Sequence, residues 1–315
     1  MIRSAIIGGG IWSALVVVGR ISERLDRSWI ELLFLFATLV IVPLGLHLTS
    51  RFDGPRTQGE IEKVLYKLQL PAAFAAAVSF YCVSPLAIVG FGIPWLAFAV
   101  ALGAGRIWRT MKTRSRNFDD LCALAAFLYL GVGACWFLAS RVGWHPIDFH
   151  EPIVLLTAVH FHYAGFAAAI LVRALAQVSS RSAIRTLLFP AAAAGALAGP
   201  AFLAAGFVIG PRVKLAAALL LAVGEILLGA CMLLSIPGVA EIGARVLLGV
   251  SAASVAAAMC FAALWALGEF PRQPFLDIAR MAAWHGSLNA FGFSFCGLMA
   301  FSLLGSSGIS NAKIA

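Results

Sequence analysis

Residues 213–235 read VKLAAALLLAVGEILLGACMLLS, a stretch that carries charge only at Lys214 and Glu225. A helix needs about 20 predominantly apolar residues to cross a hydrocarbon core of about 30 Å, and this stretch meets that requirement. The whole chain has a similar character, since 62% of its 315 residues are hydrophobic, 12% are charged and the mean hydropathy is +0.95. Ordinary soluble chains are about 45–50% apolar and about 25% charged. The composition therefore predicts an integral membrane protein.

Comparable apolar runs recur along the chain, separated by short polar connections. Lipid cannot satisfy an open backbone, so the predicted fold class is all-α, a polytopic transmembrane helix bundle. We expect the first run to be retained, because no small-x-small cleavage site follows it. No polar stretch is long enough for a soluble core, so residues 1–315 are predicted to form a single integral membrane domain. We place ten spans at about residues 5–20, 31–49, 70–87, 89–108, 119–140, 152–175, 185–208, 213–235, 243–267 and 277–304.

Positive charge indicates the orientation and the surroundings of these helices. Short loops rich in Lys and Arg tend to stay in the cytoplasm, and with both termini inside most of the 23 basic residues fall on the inner side. The predicted topology is multi-pass, with both termini in the cytoplasm. The net charge of +9 is explained by these loops, whose natural partners are anionic lipid headgroups. Nucleic acid is not an expected partner.

Several classes of function lack their sequence signals. The six cysteines lie within apolar runs and show no paired spacing for zinc or for haem attachment, so we interpret them as small packing residues. The chain has no GxxxxGK[ST] loop and no GxSxG elbow. This excludes ATP-driven transport by the chain alone and the commonest serine hydrolase arrangement.

Two polar tracts lie inside predicted spans at similar depth: HFHYAGF at residues 160–166 and HGSLN at residues 285–289. An ionisable group inside a bilayer costs a few kcal/mol or more, so such residues are often functional. His160 and His162 point about 200° apart on an ideal helix and cannot easily bind one metal ion. One of them is expected to meet His285 and Asn289, which share a helix face one turn apart.

Glu225 is the third expected contributor, on the eighth predicted span. A carboxyl at that depth must be neutral or paired, and with histidine it makes a proton relay. The predicted substrate or proton site comprises His160, His162, Tyr163, Glu225, His285 and Asn289.

The two tracts together resemble the YndJ-like bacterial membrane proteins. The resemblance is carried by LTAVHFHYAGF at residues 156–166 and by His285-Gly286 with NAFGF at residues 289–293. It covers most of the chain. Members of this family are commonly labelled transporters, but the resemblance implies a fold type and a motif correspondence more than an activity. It also implies a multi-pass location in a bacterial inner membrane.

Three hypotheses about function remain open, and enzymatic activity is left undecided. The first is a secondary transporter or proton-coupled permease for a small molecule or ion, with its site near the midplane. The second is a membrane-embedded protein that binds haem b or a transition metal through His160, His162 or His285, with a histidine-based intramembrane enzyme as a variant. The third is a non-catalytic sensor or assembly partner.

Overall fold

The computed structural model describes residues 1–22, 27–54, 59–115, 117–178, 182–273 and 275–304. These residues contain ten long helices and no strand, which confirms the all-α prediction. We number the helices in chain order: α1 Ile2–Ile21, α2 Trp29–Asp53, α3 Glu60–Ser79, α4 Pro85–Thr113, α5 Phe118–Arg141, α6 Ile153–Ala176, α7 Ala183–Ile209, α8 Pro211–Leu233, α9 Ile242–Glu269 and α10 Ile278–Leu303. Short 3₁₀ turns lie at Pro146–Asp148 and Ile236–Gly238.

Within the described residues, every one of these helices except α3 is long and apolar enough to cross a membrane. Helix α3 differs from the predicted span at 70–87 because it begins ten residues earlier, with Glu60, and ends at Ser79. Acidic residues suit a helix amino terminus, which explains the early start. Pro85 then begins α4, since its fixed φ and missing N–H are tolerated in a first turn. The chain is a polytopic helical membrane protein.

The chain divides into two compact units, Met1–Ala167 and Ala168–Ala315. In the first unit, α1 lies against α2 where Gly8 meets the backbone of Leu39; a Cβ at Gly8 would lie 1.9 Å from the Leu39 carbonyl oxygen. In the second unit, α7 and α8 approach at Gly195 and Gly224, and a Cβ on either would lie 2.6 Å from the other's Cα. Small residues permit this close packing of membrane helices.

Three of the helices contain π-helical turns. They lie at Ala37–Ile41 in α2, at Phe161–Ala167 in α6, and at Ala282–Gly286 and Leu288–Phe295 in α10. Such turns are rare, appear mostly as single-turn bulges inside α-helices and are frequent at functional sites. Both polar tracts singled out in the sequence lie at or within these turns.

Candidate functional site

His162 is enclosed in the first unit and both of its ring nitrogens have partners. Its Nδ1 lies 2.7 Å from the Ala158 carbonyl oxygen, and its Nε2 lies 3.2 Å from the indole nitrogen of Trp95. A carbonyl only accepts and an indole N–H only donates, so Nδ1 carries the proton and Nε2 is the acceptor. Both side chains are fully buried. His162 is therefore a neutral imidazole with one defined tautomer.

The packing around His162 is aromatic and close. The ring of Phe34 meets it edge-on with centroids 5.1 Å apart. On another side, Gly133 of α5 leaves room for the imidazole, because a Cβ there would lie 2.7 Å from Nδ1. Aromatic pairs favour edge-to-face contacts of this kind. The surroundings hold the ring in place.

Tyr163 links the π-helical turn of α6 to α2. Its hydroxyl donates to the Leu33 carbonyl oxygen at 2.8 Å. Five residues after Leu33, within the π-helical turn of α2, the Thr38 carbonyl accepts from the amide nitrogen of Gln69 at 2.8 Å. Side chains from two different helices thus donate to carbonyls at or beside this turn, at Leu33 in addition to the helix's own N–H group.

His160 has different surroundings from His162, although only one residue separates them. Its side chain is exposed, and its Nδ1 lies 2.8 Å from the Leu156 carbonyl oxygen of its own helix. The acceptor again requires the proton on Nδ1. The two rings of the tract thus face different environments.

In the second unit, the structure brings His285 and Asn289 into contact. His285 Nδ1 lies 2.9 Å from the Ala258 carbonyl oxygen of α9. The Asn289 amide nitrogen lies 3.2 Å from Nε2 of the His285 ring and 3.1 Å from the His285 carbonyl oxygen. The Asn289 nitrogen also lies 3.4 Å from Nδ1, so it lies beside the ring and not in line with the lone pair of Nε2. The Ala258 carbonyl places the proton of His285 on Nδ1, as in His162.

The π-helical region of α10 is held against α9 beside this pair. Ser251 donates its hydroxyl to the Phe293 carbonyl oxygen at 2.8 Å. Gly292 faces Ser254 so closely that a Cβ would lie 2.1 Å from the Ser254 oxygen. The irregular backbone is therefore satisfied inside the protein, as a membrane environment requires.

Glu225 lies in the middle of α8 and is only 2% exposed. Within the described part of the chain, neither of its carboxyl oxygens has a hydrogen-bond partner. Buried polar side chains are seldom left in this state.

The six predicted residues form two groups in the structure. His160, His162 and Tyr163 belong to the first unit, whereas Glu225, His285 and Asn289 belong to the second. Each unit is well ordered internally, and the predicted meeting of the two tracts stays a prediction. Among the described residues, no group of three or more His, Cys, Asp or Glu side chains is placed to hold a metal ion.

Sequence reasoning missed a buried ion-pair cluster in the first unit. Asp53 accepts from Arg106 at 2.7 Å and from Arg109 at 3.0 Å, and Arg106 also donates to Asp120 at 2.9 Å. The side chains of Asp53 and Arg106 are 1% and 2% exposed. Glu62 lies 3.9 Å from Arg109, and burial raises the pKa of Glu62. The sequence feature that indicates this cluster is the pair Arg106 and Arg109, three residues apart at the end of an apolar helix.

The apolar helices and the polar side chains buried between them define a polytopic helical membrane protein. Residues 32–293 match the family described as YndJ-like protein, and the chain belongs to that family. The uncharacterized membrane protein YndJ of Bacillus subtilis (strain 168) is 27% identical over 284 residues, which cover 90% of this chain and 50% of that protein. The chain thus spans about half the length of this relative. No solved structure matches this chain.

Proposed function

We propose that this chain is a proton-coupled secondary transporter of a small molecule or ion in a bacterial inner membrane, with both termini cytoplasmic. The observation that carries the proposal is the coincidence of both polar tracts with π-helical turns inside membrane-type helices. The proposed substrate or proton-binding residues are His160, His162 and Tyr163 in the first unit, and Glu225, His285 and Asn289 in the second.

Irregular turns inside membrane helices support a transport role for a physical reason. A π-helical turn is rare and is frequent at functional sites. Carbonyls beside such a turn accept side-chain donors in addition to the helix's own N–H groups. In this chain, the carbonyls of Leu33, Thr38 and Phe293 accept hydrogen bonds from side chains on other helices. If one side-chain donor replaces another at such a carbonyl, the carbonyl stays hydrogen-bonded and the backbone is not exposed unpaired to lipid.

Proton transfer and ligation to a metal or haem place the same demand on His162. A metal or haem iron binds the ring lone pair, and a proton taken up at Nε2 uses that same lone pair. On His162 this lone pair already accepts the Trp95 N–H, so either event requires Trp95 to give up its hydrogen bond.

The test measures uptake into proteoliposomes driven by an imposed pH gradient, with radiolabelled amines, amino acids, sugars and organic acids. The Asn289→Leu variant removes the hydrogen bond to the His285 carbonyl oxygen and the amide contact with the ring. A neutral hydrogen bond contributes about 1 kcal/mol, so coupled uptake should fall about fivefold. The matched control is His150→Gln, since that side chain is 66% exposed in the connection before α6. The proposal is refuted if the uptake rate does not depend on the pH gradient, or if it is equal in Asn289→Leu and His150→Gln.

The same preparation tests the other two hypotheses. A Soret band or stoichiometric metal that disappears with His162→Gln or His285→Gln would replace transport by haem or metal binding. Gradient-dependent changes in helix packing without uptake of any compound would favour a sensor or assembly partner.

A further inference from the structure

A groove lies where three helix ends of the second unit meet. It is formed by the end of α7, the start of α8 and the residues that follow α9, and the side chains that line it are Ile209, Arg212, Val213, Phe270 and Arg272. Its volume is about 490 Å³, which is within the roughly 300–1,000 Å³ of sites that bind small molecules. The groove is therefore large enough for a ligand, and it already exists without any movement of the helices.

Two positive charges in the groove have no countercharge from the described residues. Neither the guanidinium of Arg212 nor that of Arg272 has a hydrogen-bond or ion-pair partner within the described part of the chain. The neighbouring charged residues Lys214 and Glu269 are already paired with each other, at 2.8 Å. Both guanidinium groups therefore remain available to an anion.

The backbone around the groove is closely packed. A Cβ at Gly206 of α7 would lie 2.7 Å from the Lys214 Cα, so α7 and the start of α8 form one continuous wall. The Lys214–Glu269 ion pair links this wall to the end of α9. Arg272 has a left-handed backbone conformation with φ +60°, and its N–H donates to the Glu269 carbonyl oxygen at 2.8 Å. The backbone positions of both arginines are thus fixed by packing and by a hydrogen-bonded turn.

The rest of the groove lining is apolar. Ile209, Val213 and Phe270 are 67%, 40% and 47% exposed. They lie at or beside the ends of three helices that are long and apolar enough to cross a membrane. A ligand that matches the whole groove therefore has an anionic end for the arginines and an apolar end for these three side chains. That description fits an amphiphile and does not fit a simple ion.

Membrane topology does not explain why arginines are placed at this end of the helices. In the proposed orientation, with ten spans and both termini cytoplasmic, the α7–α8 connection and the end of α9 lie on the outer side. Lys and Arg in short loops favour the cytoplasmic side, so basic residues on the outer side oppose that preference. A binding role supplies a physical reason for their presence.

We propose that this groove binds one anionic phospholipid, with its phosphate on the two arginines and an acyl chain along the apolar lining. Guanidinium groups present paired N–H donors that match phosphate oxygens, and such charge-assisted hydrogen bonds are about twice as strong as neutral ones. A free phosphate ion would use the arginines alone and would leave the apolar side chains uncovered. The inference does not depend on the proposed transport activity, so either can fail without the other.

The experiment is native mass spectrometry of the detergent-purified chain with phosphatidylglycerol or with phosphatidylcholine of the same acyl chains. We expect one phosphatidylglycerol to bind about tenfold more tightly than phosphatidylcholine, whose choline offsets the phosphate charge. Arg212→Gln and Arg272→Gln should each lower the phosphatidylglycerol affinity about tenfold, because each removes a charge-assisted hydrogen bond. The matched control is Arg280→Gln, which removes the same charge from an exposed arginine at the start of α10 that lies 3.7 Å from Asp277. This control should leave the affinity unchanged.

All three of these arginines are exposed, so the variants should retain the wild-type elution profile on size exclusion. Equal binding of the two lipids, or equal affinity of Arg212→Gln and Arg280→Gln for phosphatidylglycerol, would overturn the inference. A mass of two chains that is lost in Arg272→Gln would assign the groove to a second copy of the chain, and this result would also overturn it.

A further arm separates a lipid from a free anion. Phe270→Ala should lower the phosphatidylglycerol affinity about fivefold by removing apolar contact with the acyl chain. Inorganic phosphate at the same concentration as the lipid should not displace it. If inorganic phosphate displaces the lipid, or if Phe270→Ala has no effect, the groove is a free-anion site and the phospholipid inference is wrong.

Discussion

The hydrogen bond between Trp95 and His162 offers the sharpest test of the buried site in the first unit. Replacing Trp95 by Phe removes the N–H that His162 Nε2 accepts at 3.2 Å, in a place where both side chains are fully buried. A buried acceptor left without a partner costs about 1–3 kcal/mol. Hydrogen bonds between membrane helices average about 0.6 kcal/mol and reach about 1.7 kcal/mol. We therefore expect a coupling of about 1 kcal/mol.

A single substitution would overstate that coupling. Trp95→Phe also removes ring volume from a packed core, so the total loss of stability should be about 2–3 kcal/mol. His162→Leu removes the acceptor and the Nδ1–H that donates to Ala158. A double-mutant cycle cancels the volume effects and isolates the shared hydrogen bond, provided that each change removes the contact without creating another.

The measurement is the free energy of unfolding in mixed detergent micelles titrated with a denaturing detergent, for the parent chain, Trp95→Phe, His162→Leu and the double variant. The double variant should lose about 1 kcal/mol less than the two single losses added together. Additivity within about 0.3 kcal/mol would refute the assigned tautomer and hydrogen bond. A Trp95→Phe variant with unchanged stability would do so as well.

Two further predictions concern packing and charge in the same unit. Gly133→Ala should destabilise the chain by about 1–3 kcal/mol through overpacking, because its Cβ would lie 2.7 Å from the His162 ring. The control is Gly131→Ala, which should be tolerated because the nearest atom to its Cβ would be 4.0 Å away. Equal melting temperatures of the two variants would contradict this prediction. Asp53→Asn should destabilise the chain by less than the about 3–5 kcal/mol of a fully uncompensated buried charge, because Arg106 keeps Asp120 and Arg109 keeps Glu62 as a carboxylate neighbour. Asp53→Asn should also increase the rate at which a maleimide labels the buried thiol of Cys122, measured in a variant where the other cysteines are replaced. If neither the labelling rate nor the stability changes, the ion-pair cluster does not stabilise the helix packing.

His162 and His285 have similar hydrogen-bonding surroundings. In each case Nδ1–H donates to a backbone carbonyl and a side-chain N–H group lies close to the ring, the Trp95 indole in one unit and the Asn289 amide in the other. The amide partner is the more adaptable, because Asn289 also holds the His285 carbonyl and can shift between acceptors. We therefore expect His285 to be the more responsive ring and His162 the more rigid one.

Most of the architecture was accessible from residue order. Long apolar runs predicted the helices because lipid leaves a chain few other ways to satisfy its backbone. The third predicted span is the instructive exception: its apolar residues were recognised, but the helix extends back to Glu60 through polar residues. Hydropathy records the part of a helix that suits lipid and does not record a helix that continues beyond it.

Residue types and spacing along the chain were enough to indicate an integral membrane protein, its helical class and the polar side chains that are costly to bury. Three matters depended on tertiary structure: the π-helical turns, the Trp95 partner of His162 and the absence of a partner for Glu225 among the described residues. The physical reason is distance along the chain. Burial cost is a property of each residue and its local run, whereas a hydrogen bond across 67 positions is decided only when separate helices pack.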